Sequence, residues 1–152
     1  MQLLSKSIKW IMIVSGVVTC TMFYAAIAPQ AALQQTFGDS ISGPIAEIVV
    51  RNWGALITLV GAMLIYGAYQ PVHRALILTV AITSKLVFIG LVLGLGSQYL
   101  GKAGLVVAFD SVVVVLYVLY LLSMTDRIFN RMRPTIAPQT VLKKQVFPEM
   151  IV

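Results

Sequence analysis

Apolar positions along this chain gather into four long runs, covering about residues 8–28, Pro44–Tyr69, Arg74–Leu95 and 105–123, with short polar breaks between them. About 20 apolar residues in a helix are enough to cross the ~30 Å hydrocarbon core of a bilayer. The pattern therefore predicts an all-α fold: a four-transmembrane-helix antiparallel bundle over residues 1–123, followed by a basic cytoplasmic tail over 124–152.

The breaks define the hairpins. Residues 29–43 carry Pro and Gly and no Lys or Arg, and they read as the longest loop. Ser42-Gly43-Pro44 is a helix-start signal, because Pro in a first turn loses no needed hydrogen bond. Gln70-Pro71-Val72-His73-Arg74 stops the second helix and leaves so short a turn that the third must return beside it. Residues 96–104, with Gly96, Gly101 and Gly104, form the last turn. Ala26-Ile27-Ala28 imitates a signal-peptidase site, but the run before it is longer than a usual signal core and Pro29 follows directly, so the first helix is expected to be retained.

Composition strengthens the membrane assignment. Of 152 residues, 59% are apolar and only 11% charged, against about a quarter charged in soluble domains, and the mean hydropathy is +0.94. The net charge of +6 does not point to nucleic acid, since the cations flank apolar runs instead of covering a soluble face. Lys6, Lys9, Arg74, Arg127, Arg131, Arg133, Lys143 and Lys144 fall on the side of the termini and only Lys102 opposite, so both termini are expected to be cytoplasmic. The expected location is a plasma membrane, of the bacterial inner-membrane type. Arg127, Arg131 and Arg133 are expected to meet anionic lipid headgroups.

Cys20 is the single cysteine and His73 the single histidine. An intramolecular disulfide and a Cys/His metal cluster are thereby excluded, and no metal or cofactor is expected. A Ser-His-Asp arrangement would need His73, at the cytoplasmic edge, near Asp110 in the outer half of the bilayer. With no phosphate-binding loop either, no enzyme signature is present, and an enzyme acting on a lipid or quinone ranks third among the functional readings.

The informative residues are the charges inside the spans: Glu47 and Arg51 in the second, Lys85 in the third, Asp110 in the fourth. Hydrocarbon penalises an isolated charge by at least ~2.5–3.5 kcal/mol, so such residues face the interior and pair. At ~1.5 Å per residue, Arg51 falls roughly 10 Å, Asp110 roughly 8 Å and Lys85 roughly 15 Å below the outer ends of their expected helices. The expected site is a neutral network in which Asp110 bridges Arg51 and Lys85 while Glu47 caps Arg51. Asn52, Thr83, Ser84 and Ser111 would complete its hydrogen bonds, and Trp53 would stack on Arg51 or line a pocket. Such a network locks helix register, anchors a ligand or lipid headgroup, or forms a proton or ion path.

Smaller features predict packing. Gly54 and Gly61 in the second span, and Gly90 and Gly94 in the third, suit close helix approach. Ser15, Thr19, Cys20 and Thr21 give the first helix a polar face for interhelical hydrogen bonds. Tyr66, Tyr69, Tyr99, Tyr117 and Tyr120 sit where an interfacial aromatic belt would place them.

The segment Arg51-Asn52-Trp53-Gly54, followed by Gly61 and the short turn to the third helix, resembles the DoxX-like set of four-helix membrane proteins over about residues 8–123. The resemblance implies a compact four-helix bundle with Arg51 and Gly54 as the matching positions. It also implies roles such as accessory subunits of membrane oxidoreductases or assembly factors. The first functional expectation is accordingly an accessory or assembly subunit packed in the bilayer against a larger membrane protein or further copies of itself. The alternative is a small-molecule or lipid-binding bundle, or a transporter, anchored on Arg51, Lys85 and Asp110.

Overall fold

The computed structural model describes the backbone of residues 2–132 and the side chains of residues 7–125. Among these the chain is all α: α1 Gln2–Cys20, α2 Phe23–Ile27, α3 Pro29–Thr36, α4 Pro44–Tyr69, α5 Arg74–Leu95 and α6 Leu100–Met132, with 3-10 turns at Pro71–His73 and Ser97–Tyr99. Four stretches are long and apolar enough to cross a membrane: Ser7–Ile27, Pro44–Tyr69, Pro71–Leu95 and Ser97–Thr125. The chain divides into two compact units, Met1–Leu121 and Leu122–Val152. The first holds the bundle. Most of the second, including the headgroup contacts expected of Arg127, Arg131 and Arg133, lies outside the residues whose side chains are described.

Long antiparallel pairs follow from the contacts at the helix ends. The Lys9 ammonium, early in α1, lies 4.4 Å from the ring centre of Tyr69 at the end of α4. Arg74, opening α5, reaches Tyr120 late in α6. At the opposite end Val92 of α5 clusters with Ala103 and Val107 of α6. The core runs between, with Ile8, Met12, Leu64, Ala68, Leu78, Ala81, Val113 and Tyr117 buried together. On α1 the buried positions Ile8, Met12, Ser15 and Thr19 recur at alternating steps of four and three, a single helical stripe. Outward-facing Leu59, Val87, Leu105, Val112 and Leu119 clothe the bundle in apolar side chains, as lipid contact requires.

Two boundaries differ from the sequence expectation. Residues 29–43 are not all loop: Pro29 opens α3, whose buried Pro29, Ala32 and Leu33 fall at helical spacing, and Ala32 and Leu33 pack with Ala25 of α2 and Val50 of α4. Proline breaks a helix in its interior, yet at a helix start it is favourable. The last helix begins at Leu100 instead of residue 105, because the 3-10 turn at Ser97–Tyr99 completes the reversal and leaves Gly101 and Gly104 inside α6. Nothing lies within 4 Å of a Cβ built on either glycine, so neither is needed for a turn or a close approach.

The first span is also broken. Around Thr21 the bonding tightens from i−4 to i−3, through Thr21 N–H to Val18 O (3.2 Å) and Met22 N–H to Thr19 O (3.2 Å), and the Thr21 hydroxyl donates to the Val18 carbonyl at 2.6 Å. A hydroxyl that competes for a ladder carbonyl is an established cause of helix bending. The break turns α2 onto α4, where Gly54 receives it.

Candidate functional site

Lys85 of α5 and Asp110 of α6 form an ion pair through Nζ and Oδ1, both side chains about nine-tenths buried. The corrected start of α6 explains the match. Counted from Leu100, Asp110 lies ~15 Å along its helix, the depth of Lys85 below Leu95 in the antiparallel neighbour.

Arg51 does not join them. It sits ~10 Å into α4 on a half-exposed flank, its Nη1 donating to the carbonyls of Ala26 (2.8 Å) and Ile27 (3.0 Å). Its ion pair is with Glu47, one turn away at 3.9 Å. The expected bridge from Asp110 to Arg51 is therefore not formed. A guanidinium on the last carbonyls of α2 meets the negative end of that helix, an interaction favourable to its charge. Asn52 is exposed. Thr83 and Ser111 return their hydroxyls to their own helices, on Thr79 O at 3.0 Å and Val107 O at 2.7 Å.

Trp53 lies over a cavity, not over the guanidinium. A cavity of about 150 Å³ opens between the helices, walled by Thr19, Trp53, Ser84, Lys85, Phe88 and Asp110 among others. A second hollow of about 550 Å³ adjoins it, sharing Trp53 and Phe88 and extending past Phe37 to Tyr99. Phe37 lines this hollow, its ring centre 6.4 Å from that of Trp53 and 5.8 Å from that of Tyr99. The Tyr99 hydroxyl donates to Asp39 at 3.1 Å.

Sequence reasoning missed two buried polar contacts. Tyr117, expected at the interface, has no exposure at all and its hydroxyl meets that of Ser15. Arg74, counted only as a topology signal, is buried, donating to Gly67 O (3.2 Å), Ala68 O (3.0 Å) and Tyr120 Oη (3.4 Å). Its signal was its position: the first cation after a proline turn stands where the last carbonyls of the preceding helix open. The polar face of α1 does reach across helices, at Ser15 and at Cys20, whose Sγ lies 3.6 Å from Thr58 O.

Among the described residues no three His, Cys, Asp or Glu side chains gather as metal ligands do. No family model, curated protein or solved structure matches the chain. The class it defines is an all-α bundle of four helices suited to a membrane, with an ion pair on the wall of a partly open cavity.

Proposed function

We propose that this chain is an integral membrane protein that binds a small molecule or lipid between its helices, with Lys85 and Asp110 as the polar anchor. The supporting observation is the position of the pair: two opposite charges ~15 Å from the helix ends border a cavity of about 150 Å³ instead of being packed in on every side. If the pair served register alone, apolar residues of similar volume would do as well or better. In this reading the pair lies near the bilayer midplane and the cavity opens toward the non-cytoplasmic leaflet, with both termini cytoplasmic as the cation count implies. Arg51 drops out of the anchor and becomes the residue that fixes α2 on α4. A DoxX-like relationship is part of the same proposal, since its matching positions, Arg51 and Gly54, both hold α4 to α2.

The accessory-subunit reading stands second and rests on another observation. Gly90 and Gly94 present an open strip on α5 with nothing within 4 Å of either, a surface on which a partner helix could lie closely. Native mass spectrometry from gentle detergent separates the two. A small bound mass that is lost on Asp110→Asn, in a variant that still accumulates, supports the ligand-binding reading. A stoichiometric protein partner with no small mass overturns it.

A further inference from the structure

The two adjoining compartments differ in what they offer. The inner one has roughly ten times the ~10–15 Å³ that holds a single water, room for a small polar head. Its charges cancel. Lys85 has three N–H donors, and Asp110 Oδ1 takes one, which leaves two donors and the second carboxylate oxygen for whatever enters. No fully buried side-chain nitrogen or oxygen among the described residues lacks a partner, so that oxygen is not sealed in protein, and Asp110 stands on the cavity wall. The outer compartment is apolar, lined by Leu33, Ile41, Val49, Leu91 and Leu95. Asp39 and Tyr99 also line it, and Val49, Leu91 and Leu95 are each more than half exposed, so this compartment is open at the outer helix ends.

Three kinds of head can be compared against this pair. A phosphate or carboxylate would bring an uncompensated charge into a low-dielectric site already neutral. A bare hydrocarbon end would cover the spare donors and acceptor without bonding them. A hydroxyl is donor and acceptor in one atom, and it can accept from Lys85 while donating to the second oxygen of Asp110. Resting on the ligand-binding reading above, we infer that the site takes an uncharged, hydroxyl-headed amphiphile from the bilayer. Its head lies at Lys85 and Asp110, its chain passes between Trp53 and Phe88, and its tail lies in the apolar groove.

Photolabelling of the full chain in phosphatidylcholine vesicles tests this. Three probes with a diazirine at the same place in the chain are compared: hexadecanol, palmitic acid at alkaline pH where its head is ionised, and hexadecane. Hexadecanol is expected to label the Trp53 and Phe88 segments about ten-fold more strongly than either of the others, the worth of one hydrogen bond to a charged group. Excess unlabelled hexadecanol is expected to compete and glycerol not. Ser84→Phe, which fills the inner compartment and keeps both charges, is expected to lower the signal to that of lipid-facing Leu59. Stronger labelling by palmitic acid overturns the hydroxyl class while leaving ligand binding intact, and competition by glycerol overturns the bilayer as source. Labelling by all three probes no greater at Trp53 and Phe88 than at Leu59 overturns the ligand-binding reading itself.

Discussion

Where α1 and α2 cross α4, backbone meets backbone. A Cβ built on Gly61 would stand 2.8 Å from both the Cys20 nitrogen and the Gly16 carbonyl oxygen, and one on Gly54 2.7 Å from the Ala26 nitrogen. Where α5 faces α6 at the same level, long side chains span the space, an ion pair closes it and a cavity remains beside the pair. Hydrocarbon gives two apolar helices little reason to associate, so contact must come from close packing or from polar groups that lipid will not accept. This bundle uses the first means on one side and the second on the other. A side joined by packing tolerates no added atom, whereas a side joined by charge tolerates a void but not the loss of one partner.

The comparison breaks most sharply at the ion pair. Lys85→Met or Asp110→Leu alone leaves an unpaired charge in the interior and is expected to cost about 3–5 kcal/mol, whereas the double replacement is expected to be neutral or stabilising. A double-mutant cycle read from unfolding in bicelles checks this. A double variant whose cost is the sum of the two single costs would mean that the charges do not interact.

Gly61→Val comes next. The neighbours its side chain would meet are largely backbone atoms of α1, which cannot rotate away, so overpacking is expected to cost about 1–3 kcal/mol and to loosen the crossing of α1 on α4. Accelerated labelling of Cys20 by a lipid-soluble maleimide would report the loosening, since that thiol now lies against Gly61. A smaller effect belongs to the link between α1 and α6. Tyr117→Phe removes the hydroxyl that meets Ser15 but leaves the ring in the core, for an expected cost of about 0.6 kcal/mol, the average for a hydrogen bond between membrane helices. A thermal-shift assay on the purified variant measures it.

Span positions were legible in the sequence because hydrophobic run length answers directly to bilayer thickness, and α4 and α5 fall at the expected residues. The tight seam was legible in part: Gly54 and Gly61 carried a heptad spacing, while Gly16, with a Cβ position 2.9 Å from Gly61 O, gave no local signal. The Lys85–Asp110 pair was anticipated from charge, as part of a larger network, while their equal depth emerged only with the start of α6 at Leu100. Arg51 was not legible in the same way, because matching charges offers it only carboxylates, whereas its guanidinium also takes the carbonyls of Ala26 and Ile27 at a helix end. The break lies where backbone bonding passes from i−4 to i−3 at Thr21 and Met22, and nothing in hydrophobic periodicity records that local change. Tyr117 was misplaced for a related reason: counting from the end of an apolar run locates depth, but burial depends on which face of α6 meets Ser15.

The smallest expected effect sharpens the comparison by its absence. Gly90 and Gly94 have the same spacing that promotes close helix contact, yet their built Cβ atoms meet nothing within 4 Å. Gly90→Ala and Gly94→Ala are therefore expected to change the stability of the isolated chain by no more than about 0.5 kcal/mol, while Gly54→Ala, with the same added methyl, destabilises it measurably. If the open strip on α5 serves a partner, Gly90→Ile will leave that stability alone but reduce whatever protein co-purifies in mild detergent. If it serves none, neither measurement will move, and the strip is a surface that only lipid reads.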